Sequence, residues 1–175
     1  MKKFVVLLFV VCMAALSAKA QIYVGGAMTL WSNDDADQTI FQLIPEVGYN
    51  LNEKWAIGGM LVLHHDKSEA GEIESKETGF AFAPYARYTY YENKIVRLFI
   101  DGGLGFSSLK VEDADSETGF EIGVKPGINI KLNDNFSLLA KFGFLGFRDD
   151  YIGGQNGFGF NFSGENLAFG FQYNF

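Results

Sequence analysis

The sequence predicts an all-β fold in which eight antiparallel strands close into an up-and-down barrel. Three observations support this prediction: eight segments of alternating residues, connections that are alternately short and long, and a repeated hairpin. Alternation with a period of two is typical of strands, because successive side chains point to opposite faces of a sheet. The segments lie near residues 22–31, 40–51, 55–65, 78–91, 95–109, 118–132, 136–147 and 158–175.

The connections between these segments fall into two classes. Three are tight turns, at residues 52–54, 92–94 and 133–135. The others are longer and polar, at residues 32–39, 66–77, 110–117 and 148–157. Short turns on one side and long loops on the other are the pattern of barrels that span a membrane, with both termini on the short-turn side.

A hairpin unit is repeated within the chain. Residues 45–54 align without gaps on residues 126–135, and residues 84–94 align with one extra residue. A propeller blade packs four strands into about 40 residues, whereas each unit here holds two. Hairpins repeated around a ring give an up-and-down barrel. Each unit begins with a proline, which cannot donate a ladder hydrogen bond, so we expect a bulge or a locally opened ladder there.

The eighth segment contains a conflict of parity. Phe158, Phe160 and Phe162 are even-numbered, whereas the large apolar residues of 167–175 are odd-numbered. A bulge near residues 163–164 would place both sets on one face. Otherwise residues 158–162 belong to the loop or extend the hairpin of the seventh strand.

The N-terminal 20 residues have the pattern of a secretory signal. Lys2-Lys3 forms a basic start, residues 4–16 are apolar, and Ala18-Lys19-Ala20 has the small-x-small pattern of a signal-peptidase site. The apolar run is too short to span a bilayer as a helix. We therefore predict a cleaved signal peptide at residues 1–20 and a single barrel domain at residues 21–175.

Removal of this signal fixes the cysteine content and the charge of the mature chain. Cys12 is the chain's single cysteine and lies within the signal. Val11 before it is too bulky for a lipoprotein processing site. The loss of Lys2, Lys3 and Lys19 leaves 11 basic residues against 21 acidic ones, a net charge of −10. This balance argues against binding of nucleic acid, which requires a basic patch.

The small and polar face of the strands predicts a membrane barrel rather than a soluble one. A water-exposed face has no need of small side chains, but the narrow interior of an eight-stranded barrel does. That face is rich in glycine and alanine and carries charges of both signs, which can pair across a lumen. The predicted lumen charge network consists of Glu46, Arg87, Arg97, Asp101, Glu121, Lys125 and Lys141. The opposite face carries aromatic residues near both ends, as in the two girdles of membrane barrels.

The C-terminus carries a short motif. Gly170, Tyr173 and Phe175 are spaced as in the C-terminal assembly signal of bacterial outer-membrane barrels, which ends in phenylalanine. With the signal peptide and the hairpin repeat, the whole mature chain resembles the small eight-stranded outer-membrane barrels typified by OmpX and the membrane domain of OmpA. The resemblance implies the outer membrane of a Gram-negative bacterium, reached through the secretory pathway. It also implies contact with outer-membrane lipids, lipopolysaccharide and the assembly machinery, without a cofactor.

The resemblance leaves the function open among three classes. Phe99, Tyr85 and Leu139 point inward by parity, which favours a structural or surface barrel whose lumen is filled by side chains. The alternative is a narrow porin-like channel for small or apolar solutes. A more distant alternative is a lipid-modifying enzyme, suggested by Ser68 and residues 64–66 (His-His-Asp). Adjacent histidines point to opposite faces, so we assign no catalytic residue.

The longer connections are acidic. They hold 14 of the 21 acidic residues of the chain, and Glu165 follows the fourth connection. The runs at 34–37 and 113–117 lack the glycine and distal glutamate of a complete calcium loop, so no specific metal site is predicted. Exposed negative charge nevertheless favours weak binding of divalent cations or of a basic partner. The glycine-rich residues 153–157 lack the Lys-Ser/Thr of a phosphate loop.

Overall fold

A computed structural model describes residues 21–33, 38–70, 73–111, 116–152, 156–162 and 168–175. The predicted signal peptide therefore lies outside the described residues. In the described part of the chain, no helix is long and apolar enough to cross a membrane. The strands are β1 Ile22–Asn33, β2 Gln38–Asn50, β3 Trp55–Ala70, β4 Ile73–Glu92, β5 Val96–Val111, β6 Glu117–Lys131, β7 Phe136–Lys141, β8 Phe144–Asp149, β9 Gly157–Asn161 and β10 Ala168–Asn174.

The strands close into the predicted eight-stranded antiparallel barrel. Each strand from β1 to β6 pairs with the next one in the chain. β6 then pairs with β7, β7 with β10, and β10 with β1, where Tyr23 lies opposite Asn174. β7 and β8 together form the seventh strand, and β9 and β10 the eighth. The predicted fold class is confirmed.

The seventh strand is broken, although the sequence predicts one strand over residues 136–147. Gly143, between β7 and β8, has a φ of +77°, a left-handed conformation that favours glycine. Leu139 on β7 and Phe144 on β8 are both buried in the lumen. Odd-numbered residues therefore face the lumen before the break, and even-numbered residues face it after the break. The prediction of a single strand is wrong here, because it did not allow for the irregular residues at the break.

The eighth strand reverses its facing as well. β9 pairs with β8, and Phe158 and Phe160 lie opposite the outward-facing Phe147 and Leu145. Residues 157–161 therefore extend the hairpin of the seventh strand, one of the three predicted alternatives. Phe169 and Phe171 of β10 are also outward-facing and exposed. The reversal occurs between β9 and β10; the predicted bulge position lies outside the described residues.

Three turns define one end of the barrel, called here the turn end; the opposite end is the loop end. Each turn begins with an asparagine whose side-chain Oδ1 accepts two backbone N–H groups. Asn52 accepts from Lys54 and Trp55, both at 2.9 Å. Asn93 and Asn133 make the same pair of bonds at 2.7–3.0 Å. Such side-chain bonds replace backbone partners in tight turns, which explains why the repeat places asparagine there.

The three repeated prolines lie at interruptions of the ladder, as predicted. Each keeps its pairing with one neighbouring strand, opposite Gly26, Gly59 and Ile100. On the other side pairs are missing: β2–β3 between Leu43 and Glu46, β4–β5 between Phe82 and Tyr85, and β6 between Val124, paired with β8, and Gly127, paired with β7. The physical reason is the absent proline N–H. The extra residue in the second repeat lies in a strand with a register shift between Thr89 and Tyr91.

Small residues allow aromatic side chains to fill the lumen at the turn end. A Cβ atom on Gly48 would lie 2.1 Å from Cζ of Tyr23, and one on Gly127 would lie 2.2 Å from Cζ of Phe99. Tyr23 and Phe99 are fully buried. Phe99, Tyr85 and Leu139 all lie buried in the lumen, so their predicted inward orientation is confirmed.

The wall is less regular at the loop end. The β1–β10 pairing ends at Ala27 and Gly170, and residues 28–33 of β1 pair only with β2 among the described residues. In the same part of the chain, β9 pairs only with β8. Apart from the interruptions at the three prolines, the described ladder therefore runs around the turn-end half of the barrel, whereas β1 and β9 are not paired with each other in the loop-end half.

Candidate functional site

Arg87 is a buried residue of the lumen in the turn-end half of the barrel. The β4–β5 register places it opposite Asp101, and its Nε and one terminal nitrogen donate to the two Asp101 oxygens at 2.6 and 2.8 Å. The same terminal nitrogen donates to Glu46 at 2.8 Å. The other terminal nitrogen donates to Gln172 at 3.0 Å. Side-chain exposures of 4%, 2% and 3% for Arg87, Asp101 and Glu46 show that these charges are out of contact with bulk water.

A second cation completes this layer. Nζ of Lys141 lies 2.7 Å from Glu46 and 3.1 Å from Asp101. Two cations therefore balance two carboxylates, as a buried charge group requires. We call Glu46, Arg87, Asp101, Lys141 and Gln172 the lumen plug. Its members come from β2, β4, β5, β7 and β10 and so connect strands across the barrel.

Aromatic side chains pack around the plug. The Arg87 guanidinium lies 4.0 Å from the centre of the Phe99 ring. The hydroxyls of Tyr23 and Tyr85 are 2.7 Å apart, and Tyr85 also donates to Glu46. Planar guanidinium groups favour such stacking, and the rings exclude water from the ion pairs. The plug is therefore a packed layer rather than a set of solvated charges.

A second charge cluster lies nearer the loop end. The buried carboxylate of Glu121 accepts from Lys125 and, at 2.9 Å, from Nε of Arg148. The Arg148 guanidinium also lies 3.8 Å from the centre of the Phe144 ring. Glycine at position 105 makes room here, because a Cβ atom there would lie 2.6 Å from Glu121 Cγ and 2.7 Å from the Tyr151 ring. This loop-end cluster has two cations for one carboxylate.

The structure corrects the placement of Arg97. We expected this side chain near Glu46, Asp101 or Glu121, but it pairs with Glu92 at 3.0 Å, at the turn end. Four residues of strand separate it from Asp101, about 13 Å, which is too far for a shared network. Burial raises the pKa of Glu92, but hydrogen bonds from Arg97 and Lys131 outweigh it and hold that pKa below its usual value. The prediction that Arg97 belongs to the network is therefore wrong.

The lumen plug separates two cavities. A cavity of about 650 Å³ lies on the loop-end side and is lined by residues of the loop-end cluster and by Lys141. A cavity of about 180 Å³ lies on the turn-end side, lined by Arg87, Arg97 and Gln172 among others. Residues of the plug therefore line both cavities.

The chain matches the sequence model of a known protein family. The family is described as "Outer membrane protein beta-barrel domain", and its sequence model matches residues 4–175, nearly the whole chain. The chain belongs to this family. It is an outer-membrane protein of the Gram-negative type, and its lipid surroundings follow from that location. A search of curated proteins gave no match.

Solved structures of small outer-membrane barrels share the fold. Ail of Yersinia pestis in a phospholipid bilayer nanodisc is 15% identical, with 90% of this chain and 100% of that chain covered and a TM-score of 0.51. Ail in complex with the heparin analogue sucrose octasulfate is 13% identical, covering 89% and 97%, at a TM-score of 0.50. The N-terminal barrel of Pseudomonas aeruginosa OprF is 14% identical, covering 89% and 98%, at a TM-score of 0.48. At these identities the likeness concerns the fold alone.

β10 pairs with β1 and carries Gly170 and Tyr173 of the predicted assembly signal, and Phe175 lies directly beside its end. Backbone N–H of Phe175 donates to the carbonyl of Ile22 at 3.1 Å, and the rings of Tyr173 and Phe175 lie 5.1 Å apart, nearly perpendicular. Gly170 packs against the backbone of Gly26. These residues join the last strand to the first.

The two histidines of the enzymatic candidate make different contacts. His65 is exposed and its Nδ1 lies 3.2 Å from the Thr78 hydroxyl, whereas Nδ1 of His64 is buried without a hydrogen-bond partner among the described residues. The Ser68 side chain lies outside the described part. No group of three or more potential metal ligands occurs among the described residues.

Several important lumen residues were missing from the predicted network. Arg148 lies on β8, whereas the seventh strand was predicted to end at residue 147, which placed Arg148 in the connection 148–157. Gln172 lies in the small and polar row of the C-terminal strand, where a neutral side chain gave no charge signal. Tyr23 was counted with neither face. Strand parity alone would have found Gln172, because it alternates with Phe171 and Tyr173.

Proposed function

We propose that this protein is a non-conducting surface barrel, in which the wall is a rigid support and the lumen is closed. The observation that carries this proposal is the lumen plug, in which Arg87 binds Asp101, Glu46 and Gln172 from three other strands. An eight-stranded barrel is just wide enough for side chains to fill. A solute passing through would have to separate buried ion pairs, which costs several kcal/mol.

Single-channel recording in a planar lipid bilayer tests this proposal. We expect the purified barrel to show no conductance steps. Shortening the central side chain with Arg87→Ala should produce steps, because the turn-end and loop-end cavities would then connect. Arg97→Ala is the matched control, since Arg97 lies outside the plug and its loss should leave the bilayer silent. Regular conductance of the unaltered protein would support the narrow channel instead.

We also propose that the loop end faces the outside and presents a negatively charged surface. The support is the sequence, which concentrates 14 of 21 acidic residues in the longer connections. Such a surface attracts divalent cations or a basic partner and repels polyanions. The solved Ail complex contains a heparin analogue, a polyanion. We expect this protein to bind polyanions only weakly, because its own loop-end surface is negatively charged.

Thermal unfolding with millimolar calcium or magnesium tests the acidic surface. We expect a higher melting temperature, with weak affinity at several sites. Neutralising the five acidic residues of the second connection should reduce the shift and leave the barrel folded; they are Asp66, Glu69, Glu72, Glu74 and Glu77. If neither ion changes the melting temperature or the protease sensitivity of the loops, the acidic surface serves only to keep the protein soluble.

Two proposals concern delivery to the membrane. Residues 1–20 would be removed as a secretory signal, and Gly170, Tyr173 and Phe175 would be recognised by the assembly machinery. Changing Tyr173 and Phe175 to alanine should lower the amount of barrel in the outer membrane more than it lowers the stability of refolded protein. Unchanged membrane levels in the double variant would leave these residues with a packing role only. N-terminal sequencing of the exported chain tests the cleavage site.

A further inference from the structure

The loop-end cavity has two unlike walls. Its volume of about 650 Å³ lies in the range of sites that hold small organic ligands. One wall, on β2, β3 and β4, is apolar and carries Ile44, Met60, Val62, Ala81 and Ala83. These side chains face the lumen, where water alone would favour polar residues. The opposite wall carries the cations of the loop-end cluster.

The cationic wall has an excess of positive charge. Lys125 and Arg148 share the single carboxylate of Glu121, and both line the cavity. Arg148 uses Nε for this bond. Among the described residues, this Arg–Lys pair therefore has one carboxylate for two positive charges. An anion bound there would complete the balance that the lumen plug already has.

We propose that the loop-end cavity binds a single-chain amphiphile with an anionic head. The head lies against Lys125 and Arg148, and the acyl chain lies along the apolar wall of β2, β3 and β4. This site is independent of the proposed non-conducting role, because the lumen plug closes the cavity on the turn-end side. It gives the barrel a ligand without giving it a channel.

The composition of the cavity disfavours other ligand classes. A cation would meet the excess positive charge. A small hydrated anion would leave the apolar wall uncovered, and a neutral hydrocarbon would leave the excess charge unbalanced. Gly157 and Gly159 of β9 line the cavity, and a Cβ atom on either would meet nothing within 4 Å, so there is free space next to this strand. The chain of a bound amphiphile therefore has room beside β9.

The two methionines outside the predicted signal provide a test. Met60 lines the cavity and is 9% exposed, whereas Met28 faces the surroundings of the barrel and is 65% exposed. The protein with ¹³C-methyl methionine in nanodiscs of zwitterionic phospholipid is titrated with dodecanoate or dodecyl phosphate. The Met60 resonance should shift and saturate, while the Met28 resonance reports only partition of the amphiphile into lipid. A response to one head alone identifies the source as a carboxylate or a phosphate.

Chain and charge variations define the expected result. Affinity should rise about fourfold for each added methylene that is buried, from octanoate to dodecanoate. Arg148→Gln should weaken binding at least tenfold. Ala81→Phe should abolish it by filling the cavity while leaving the charges in place. Leu61→Phe is the matched control, because Leu61 faces outward and lies next to Val62, the residue opposite Ala81. The affinity of the Leu61→Phe variant for dodecanoate should equal that of the unaltered protein.

Folding of each variant is checked by its different migration on a gel before and after boiling. Dodecyltrimethylammonium should not move the Met60 resonance. The proposal is overturned if that cation shifts Met60 as dodecanoate does, if acetate matches dodecanoate, or if Met60 stays fixed in the folded, unaltered protein. Failure of this test leaves the conductance experiment unaffected, so the two proposals fail separately.

Discussion

The two halves of this barrel have opposite construction. In the turn-end half the described strands pair all around the barrel, apart from the interruptions at the three prolines. The turns there share one asparagine arrangement, and the lumen plug pairs two cations with two carboxylates. In the loop-end half β1 and β9 are unpaired with each other in the described part, and a cavity of about 650 Å³ lies beneath a cluster with one excess positive charge.

This difference separates stability from binding. Fully paired buried charges and close packing resist change, because removing any one group leaves the others desolvated and unpaired. An open cavity with unbalanced charge stabilises the fold less, but it can accept a ligand. We therefore expect substitutions in the turn-end half to cost stability and those in the loop-end half to alter binding.

The largest effect should follow loss of the plug arginine. Arg87→Leu leaves the buried carboxylates of Glu46 and Asp101 with Lys141 alone, so we expect a loss of about 3–5 kcal/mol in the free energy of unfolding. Arg148→Leu in the loop-end half should cost clearly less, because Glu121 keeps Lys125 and Arg148 is partly exposed. Urea unfolding in lipid vesicles measures both. Equal losses would contradict the contrast between the halves.

Glycine substitutions should give the next largest contrast. Gly127→Ala places a Cβ atom 2.2 Å from the Phe99 ring, and such overpacking costs about 1–3 kcal/mol. Gly159→Ala in β9 meets nothing within 4 Å and should be neutral or slightly stabilising, because alanine restricts the unfolded chain. The same unfolding assay compares them. A destabilised Gly159→Ala would show that β9 is packed against a neighbour.

Sequence reasoning was most successful where the chain is regular. The repeat from Pro45 to the turn at Asn52 predicted the hairpins, and the missing proline N–H predicted the interrupted ladders. It failed at the break at Gly143, because parity arguments assume one residue per step along a strand. Arg148 was missed for another reason, because the seventh strand was predicted to end at residue 147 and β8 continues to Asp149. Depth along a strand was the other difficulty, since alternation gives the face of Arg97 but not its distance from Asp101.

The smallest effect should come from the ion pair between Arg97 and Glu92 at the turn end. This pair sharpens the comparison because it is more exposed than the pair between Arg87 and Asp101. Arg97 and Glu92 form an arginine–carboxylate pair like that of Arg87, but their side chains are 23% and 31% exposed. Because water screens such pairs, Arg97→Gln should cost less than about 1 kcal/mol at neutral pH. The pKa of Glu92 is lowered in the folded state, so its contribution to stability is present above the unfolded-state pKa. It should be lost as the pH falls and Glu92 becomes protonated. Unfolding curves of both proteins should therefore converge in acid, whereas a loss comparable to that of Arg87→Leu would show that burial does not rank these pairs.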